Sequence, residues 1–262
     1  MPRKPYKSDL TDAEWVIIEP LIPPAKKGGH PRTVDMREII NGMFYVLKTG
    51  CSWEMLPHDL PPSSTVYSYF RLFQKKGIWQ EMNRTLRQRV RKSLGREPKP
   101  TAASVDSQSV KTTGKKGEVY GFDGAKKVKG RKRHILVDTQ GLIMAVVVTE
   151  ANAPERLFAV ACVMEDLEQL SQLELIWVDG GYTGKNLAGV VKQLCNAKVE
   201  VIKRSDDCSG FQILPRRWVV ERTFSWLVNS RRLSLDYELL PEVSEAFIYT
   251  AMVRIMLRRL AA

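Results

Sequence analysis

Histidine and cysteine are scarce in this chain, at three and four residues of 262. Cys51, Cys162, Cys195 and Cys208 are scattered, with no C-x-x-C pair and no histidine at zinc spacing. That excludes a zinc ribbon or a disulfide framework, and reads most simply as reduced thiols in a cytosolic protein. Long apolar runs are also missing. The longest covers residues 142–148 and is far too short to span a bilayer. The opening Met-Pro-Arg-Lys-Pro lacks the apolar core of a signal peptide, so a cytoplasmic location is expected. Acidic residues are in deficit, 29 against 41 lysines and arginines, giving a net charge of +12 and a pI near 9.6. So large an excess points to a polyanionic partner, most often nucleic acid. It is uneven, because residues 109–133 alone hold nine basic residues against two acidic ones.

The hydrophobic content of 44% is that of a globular protein able to bury a proper core. Periodicity divides the chain in two. Residues 1–97 read as an all-α domain. A capping box at Thr11 and Glu14 opens the first helix, and Gly50 stops a second that runs from about residue 34 to 48. Ser63-Ser64 caps a third helix with Val66, Tyr69, Phe70 and Phe73 inward, and a fourth follows from Gly77 to Leu94. The short piece near Trp53, a turn and the third helix together fit a helix-turn-helix, with Ser64 and Arg71 on the face that would read DNA. Plain helical packing is the alternative.

Residues 98–262 change period. Strands are expected at 102–105, 134–138, 142–149, 173–178 and 198–202, and helices at 154–170, 183–195, 216–229 and 241–260. A meander followed by alternating units gives an α/β fold, a mixed sheet with helices on both faces. The first and fourth strands can then lie side by side and parallel. Trp177, Trp218 and Trp226 read as core.

Three acidic residues stand where an acid is unexpected. Asp106 and Asp179 directly follow apolar β-type runs, and Glu221 interrupts the apolar face of a helix. Asp138 also ends a strand, but it precedes a tight turn that favours aspartate for its own backbone bonds. Carboxylates on rigid elements suit Mg²⁺, which prefers oxygen ligands and octahedral geometry. Two ions about 3.5–4 Å apart can clamp the attacking and leaving oxygens of a phosphoryl displacement. Asp106, Asp179 and Glu221 are therefore the candidate catalytic and metal-binding residues, with two Mg²⁺ expected and Mn²⁺ an acceptable substitute. Candidate DNA contacts are Lys111, the basic run Lys126–Arg133 with Arg131, Lys132 and Arg133 foremost, and the helix residues Arg217 and Arg222. His134, next to that run, has both a structural and a near-site reading.

Four stretches together, VDSQSVKTT, KKVKGRKRHILVDTQGLI, WVDGGYTG and LPRRWVVERTFSWLVNSRRLSLDYE, make the chain resemble the DDE transposases of bacterial insertion sequences over nearly its whole length. The resemblance implies a ribonuclease-H-like catalytic domain, a helical DNA-binding region, and Mg²⁺-dependent cleavage and joining at transposon ends. It also implies a homodimer or larger assembly on double-stranded DNA, acting on the nucleoid. The family's glutamate sits in a Tyr-x2-Arg-x3-Glu-x6-Lys signature. Here Arg217 and Glu221 match, whereas Leu214 replaces the tyrosine and Val228 the lysine. Arg231 and Arg232 lie just beyond and are candidates to take over that DNA contact. A transposase-derived repressor that no longer cuts, and a nuclease selective for branched DNA, remain as alternatives on the same scaffold.

Overall fold

The computed structural model describes residues 3–25, 28, 32–114, 117–164, 171–182, 185–202 and 218–262. Six strands form one sheet: β1 (Ala102–Lys111), β2 (Gly121–Asp123), β3 (Val128–Asp138), β4 (Ile143–Glu150), β5 (Leu175–Val178) and β6 (Lys198–Val201). β1 is central. It runs antiparallel to β3 and parallel to β5, while β6 lies outside β5 and both β2 and β4 lie outside β3. The five long-range strands thus stand in the order β4-β3-β1-β5-β6, a ribonuclease-H-like arrangement.

Two strands are longer than periodicity suggests. β1 continues through Asp106 to Lys111, and β3 begins at Val128, so the basic run 128–133 is strand and not a loop before one. Pairing with each other sustains both, from Ala103 opposite Asp138 to Lys111 opposite Gly130. The hairpin strand β2 carries no apolar alternation and is not visible in the sequence.

Helices α1 (Asp12–Ile18), α2 (Met36–Thr49), α3 (Ser63–Lys75) and α4 (Ile78–Ser93) precede the sheet. The Thr11–Glu14 capping box closes reciprocally, and Gly50 adopts a left-handed conformation as the α2 cap. The expected serine cap of α3 is absent: Pro62 stands at the cap and no side chain takes the role. On the far side of the sheet lie α5 (Glu155–Met164) and α6 (Lys185–Cys195), over a core that includes Val105, Leu136, Ile176 and Val191.

The last two helices are α7 (Trp218–Val228) and α8 (Pro241–Leu260). α8 is apolar around most of its circumference because it is enclosed, packing on α1, α2, α3 and α4 on one side and on β4 on the other. The N-terminal helices consequently own no separate core. Ile40, Phe70 and Leu86 belong to the same buried cluster as Val146, Leu227 and Met252. Polar bolts reinforce this. Asn83 and Arg87 of α4 donate to the Ile143 carbonyl, and buried Arg91 pairs with buried Asp138 at 2.7 Å. The boundary near residue 97 is therefore a change of secondary structure, not a gap in packing.

Candidate active site

β1 and β5 pair in parallel with Ser104 opposite Trp177. Two residues further along each chain come Asp106 and Asp179. β5 ends at Val178, so Asp179 lies just past that strand, and both acids follow the paired segment in the same direction along parallel chains. Asp106 accepts a hydrogen bond from the Ser107 amide at 2.7 Å, and Asp179 Oδ1 accepts one from Gly181 at 2.9 Å. Glu221 is exposed in the first turn of α7 and faces this end of β1. Asp106 and Glu221 line one cavity of about 380 Å³, together with Gln108, Lys126, Phe224 and Val228.

Two further residues belong here that sequence patterning hides. Glu155 Oε1 accepts from the Ser107 hydroxyl at 2.8 Å and pairs with Lys132 at 3.3 Å. A Cβ added at Gly181 would stand 3.2 Å from Glu155 Oε2 and 3.1 Å from Asp179 Oδ1, so the glycine lets the two carboxylates approach. Burial raises the Glu155 pKa, but the Ser107 bond and Lys132 outweigh it and hold the acid ionised, below its ordinary range. In sequence Glu155 is an acid after proline at a helix start, where such residues are routine. Tyr182 is fully buried beside Ser107 without a well-formed hydrogen bond. Burial, then the charges of Asp106 and Glu155, push its phenol far up, so it stays protonated.

Among the described residues, no three acidic, histidine or cysteine side chains gather tightly enough to grip one metal ion. Of the three candidate acids, Asp106 and Glu221 share a cavity, and Asp179 stands just past the end of β5. The donor set still suits Mg²⁺. That ion commonly takes one or two protein carboxylates and completes its shell with waters and substrate phosphate.

The basic residues divide sharply. Arg131, Lys132, Arg133 and Arg232, expected to touch DNA, are buried. Arg131 donates to Val119, Glu238 and Leu239 carbonyls and pairs with buried Asp236. Arg133 donates to the Leu233 and Leu235 carbonyls, and Arg232 pairs with Glu238 at 2.7 Å. These arginines hold down the strap of residues 233–240 between α7 and α8, which removes them from any DNA-facing surface. Lys132 sits between Asp123 and Glu155. Lys111 and Arg231 are exposed. Arg222 is stacked between Trp218 and Trp226 at 4.2 and 4.6 Å, and Trp218, expected in the core, is 40% exposed. Arg217 lies outside the described residues. Ser64 is exposed and Arg71 half-buried. Both border a cavity of about 580 Å³ whose far wall is the strap, including Tyr237 and Leu239.

The two remaining sequence readings settle as structural. His134 is enclosed against Phe158 and bonds Thr149, and burial followed by the nearby Lys132 charge lowers its pKa to about 4. Asp138 takes the Gln140 and Leu142 amides in its turn.

The family described as "Transposase DDE domain" matches residues 97–256, and "Putative transposase of IS4/5 family" matches residues 10–83. The chain is 32% identical over 114 residues to the insertion element IS402 uncharacterized 16.2 kDa protein of Burkholderia cepacia, covering 41% of this chain and 76% of that one. It is 27% identical over 126 residues to the putative transposase for insertion sequence element IS402 of the same organism, covering 45% of this chain and 59% of that protein. Solved structures give distant likenesses. A Mos1 transposase paired-end complex with left transposon end has TM-score 0.25 at 11% identity, over 68% of this chain and 61% of that one. A pre-cleavage Mos1 transpososome has TM-score 0.29 at 9% identity, over 91% and 80%. With the DDE domain matched across residues 97–256, more than half its length, the chain belongs to the DDE transposases of insertion sequences.

Proposed function

We propose that this protein binds the terminal inverted repeats of its element and cleaves and joins DNA there, in a cut-and-paste reaction that depends on Mg²⁺. The observation that supports the reading is the cavity lined by both Asp106 and Glu221, with Asp179 just past β5, the strand parallel to β1. When bound, Mg²⁺ or Mn²⁺ supplies Lewis-acid polarisation of the phosphodiester oxygens. Asp106 and Asp179 would hold the metal, Asp106 from the stiffest strand of the sheet. Glu221 would face the same phosphate from α7. Gly180 and Gly181 leave room for the DNA backbone, and the Tyr182 phenol, which stays protonated, would donate a hydrogen bond to a neighbouring carboxylate.

Double-stranded DNA is the partner in this reading, met by exposed Lys111 and Arg231, with Ser64 and Arg71 contributing to recognition of the ends. Concerted cutting of two ends calls for a dimer or larger assembly on the DNA, in the cytoplasm on nucleoid DNA. The test is a nicking assay on a duplex carrying one end of the element. Protein with Mg²⁺ should nick it, while Asp106→Ala and Glu221→Gln should bind the duplex yet leave it uncut. Undiminished nicking by either variant would overturn the assignment.

A further inference from the structure

The cavity shared by Asp106 and Glu221 also contains the position where the family signature has its lysine, filled here by Val228. Val228 is 41% exposed and lies seven residues after Glu221, two turns along the same face of α7. Opposite it stands Lys126, at the tip of the hairpin between β2 and β3. The tip is firmly built. Asp123 Oδ1 accepts from the Ala125 and Lys126 amides at 3.1 and 3.0 Å, and Oδ2 accepts from the Ser109 hydroxyl at 2.5 Å. Lys132 stands 3.8 Å behind the same carboxylate. An anchored turn directs the Lys126 side chain into the cavity, where its Nζ reaches the Ser107 carbonyl at 3.4 Å. That is its one hydrogen bond among the described residues. An ammonium has three donors, and Lys126 forms no ion pair with a described carboxylate although two acids line the same cavity.

We infer that Lys126 is a DNA-contacting residue, giving from the β2–β3 hairpin the phosphate contact that Val228 cannot give from α7. A lysine that enters an acid-lined cleft and, among the described residues, pairs with neither acid and spends one donor on a carbonyl is arranged for an incoming anion. In this cleft the anion is the DNA phosphate next to the scissile bond. The inference rests on the reading under Proposed function, and it moves the replacement for the signature lysine away from Arg231 and Arg232.

The experiment is a charge relocation. Binding of a labelled duplex carrying one end of the element is measured by anisotropy across a salt series, with Ca²⁺ in place of Mg²⁺ so that no strand is cut. Lys126→Ala should weaken binding at least about threefold and make the slope of log affinity against log salt shallower by about 0.9, one phosphate contact. Adding Val228→Lys to it should restore both. Adding Val16→Lys, a charge on exposed α1 outside the cavity, should restore neither. Unchanged affinity in Lys126→Ala, no recovery with Val228→Lys, or equal recovery with Val16→Lys would each overturn the inference. A wild-type protein that binds in this pattern but cannot nick in Mg²⁺ would instead sink the catalytic reading and leave the contact standing.

Discussion

Arg131 offers the sharpest test of how the basic residues are used. Its guanidinium and the Asp236 carboxylate are both fully buried, 3.1 Å apart. The other donors reach three carbonyls and the Ser244 hydroxyl at 2.7 to 3.2 Å. In Arg131→Met the stem volume is roughly kept and the charge is lost. Among the described residues, the Asp236 carboxylate then keeps only the Ser244 hydroxyl and the Glu238 amide as donors in the interior. Removing one partner of a buried pair costs about 3–5 kcal/mol, since a charge is stranded away from water. For a chain of this size that lowers the melting temperature by about 6–20 °C. Arg131→Met/Asp236→Leu should recover part of the loss, because replacing both partners strands nothing. Thermal melts of the three variants read this directly, and duplex affinity well below the melting point provides the contrast. If Arg131→Met melts within about 2 °C of wild type while DNA affinity falls, Arg131 is a DNA contact and the strap reading is wrong.

Other outcomes follow from the same geometry. His134 has a folded pKa near 4, below its unfolded value of 6.5, so it favours folding when neutral. That stability is complete above pH 6.5, is lost as pH falls toward 4, and amounts to at most about 3 kcal/mol; melting curves of His134→Gln should be flatter across that window. Gly181→Ala puts a methyl 3.1–3.2 Å from the Asp179 and Glu155 oxygens, so nicking should fall more than tenfold, about 1.4 kcal/mol of barrier, with little change in melting. A Gly181→Ala enzyme of normal rate would show that the two acids need not approach. Glu155→Gln should keep its Ser107 bond and lose the Lys132 attraction, shifting the Mg²⁺ dependence of nicking to higher concentration. An unchanged Mg²⁺ titration would place Glu155 outside the site. Gly141 sits at φ +78° with Thr223 Oγ1 2.7 Å from any added Cβ, so Gly141→Ala should destabilise by about 1–3 kcal/mol, read by urea unfolding.

What the sequence determined by itself was whatever depends on neighbours a few residues apart. The Thr11–Glu14 box, the Gly50 stop, the apolar stripe of α3 and the Asp138 turn are local hydrogen bonds and local periodicity, and each is as the sequence indicates. The parallel pairing of β1 with β5 also follows from strand order, because a meander followed by a crossover leaves the first strand in the centre. Tertiary structure decided the rest, for a physical reason. Whether an arginine meets solvent or a buried carbonyl depends on chain a hundred residues away, and no local pattern separates Arg131, clamped by residues 236–244, from exposed Arg231. The same holds for Glu155, an ordinary polar residue in sequence that meets Ser107 of β1 only because the fold carries it there.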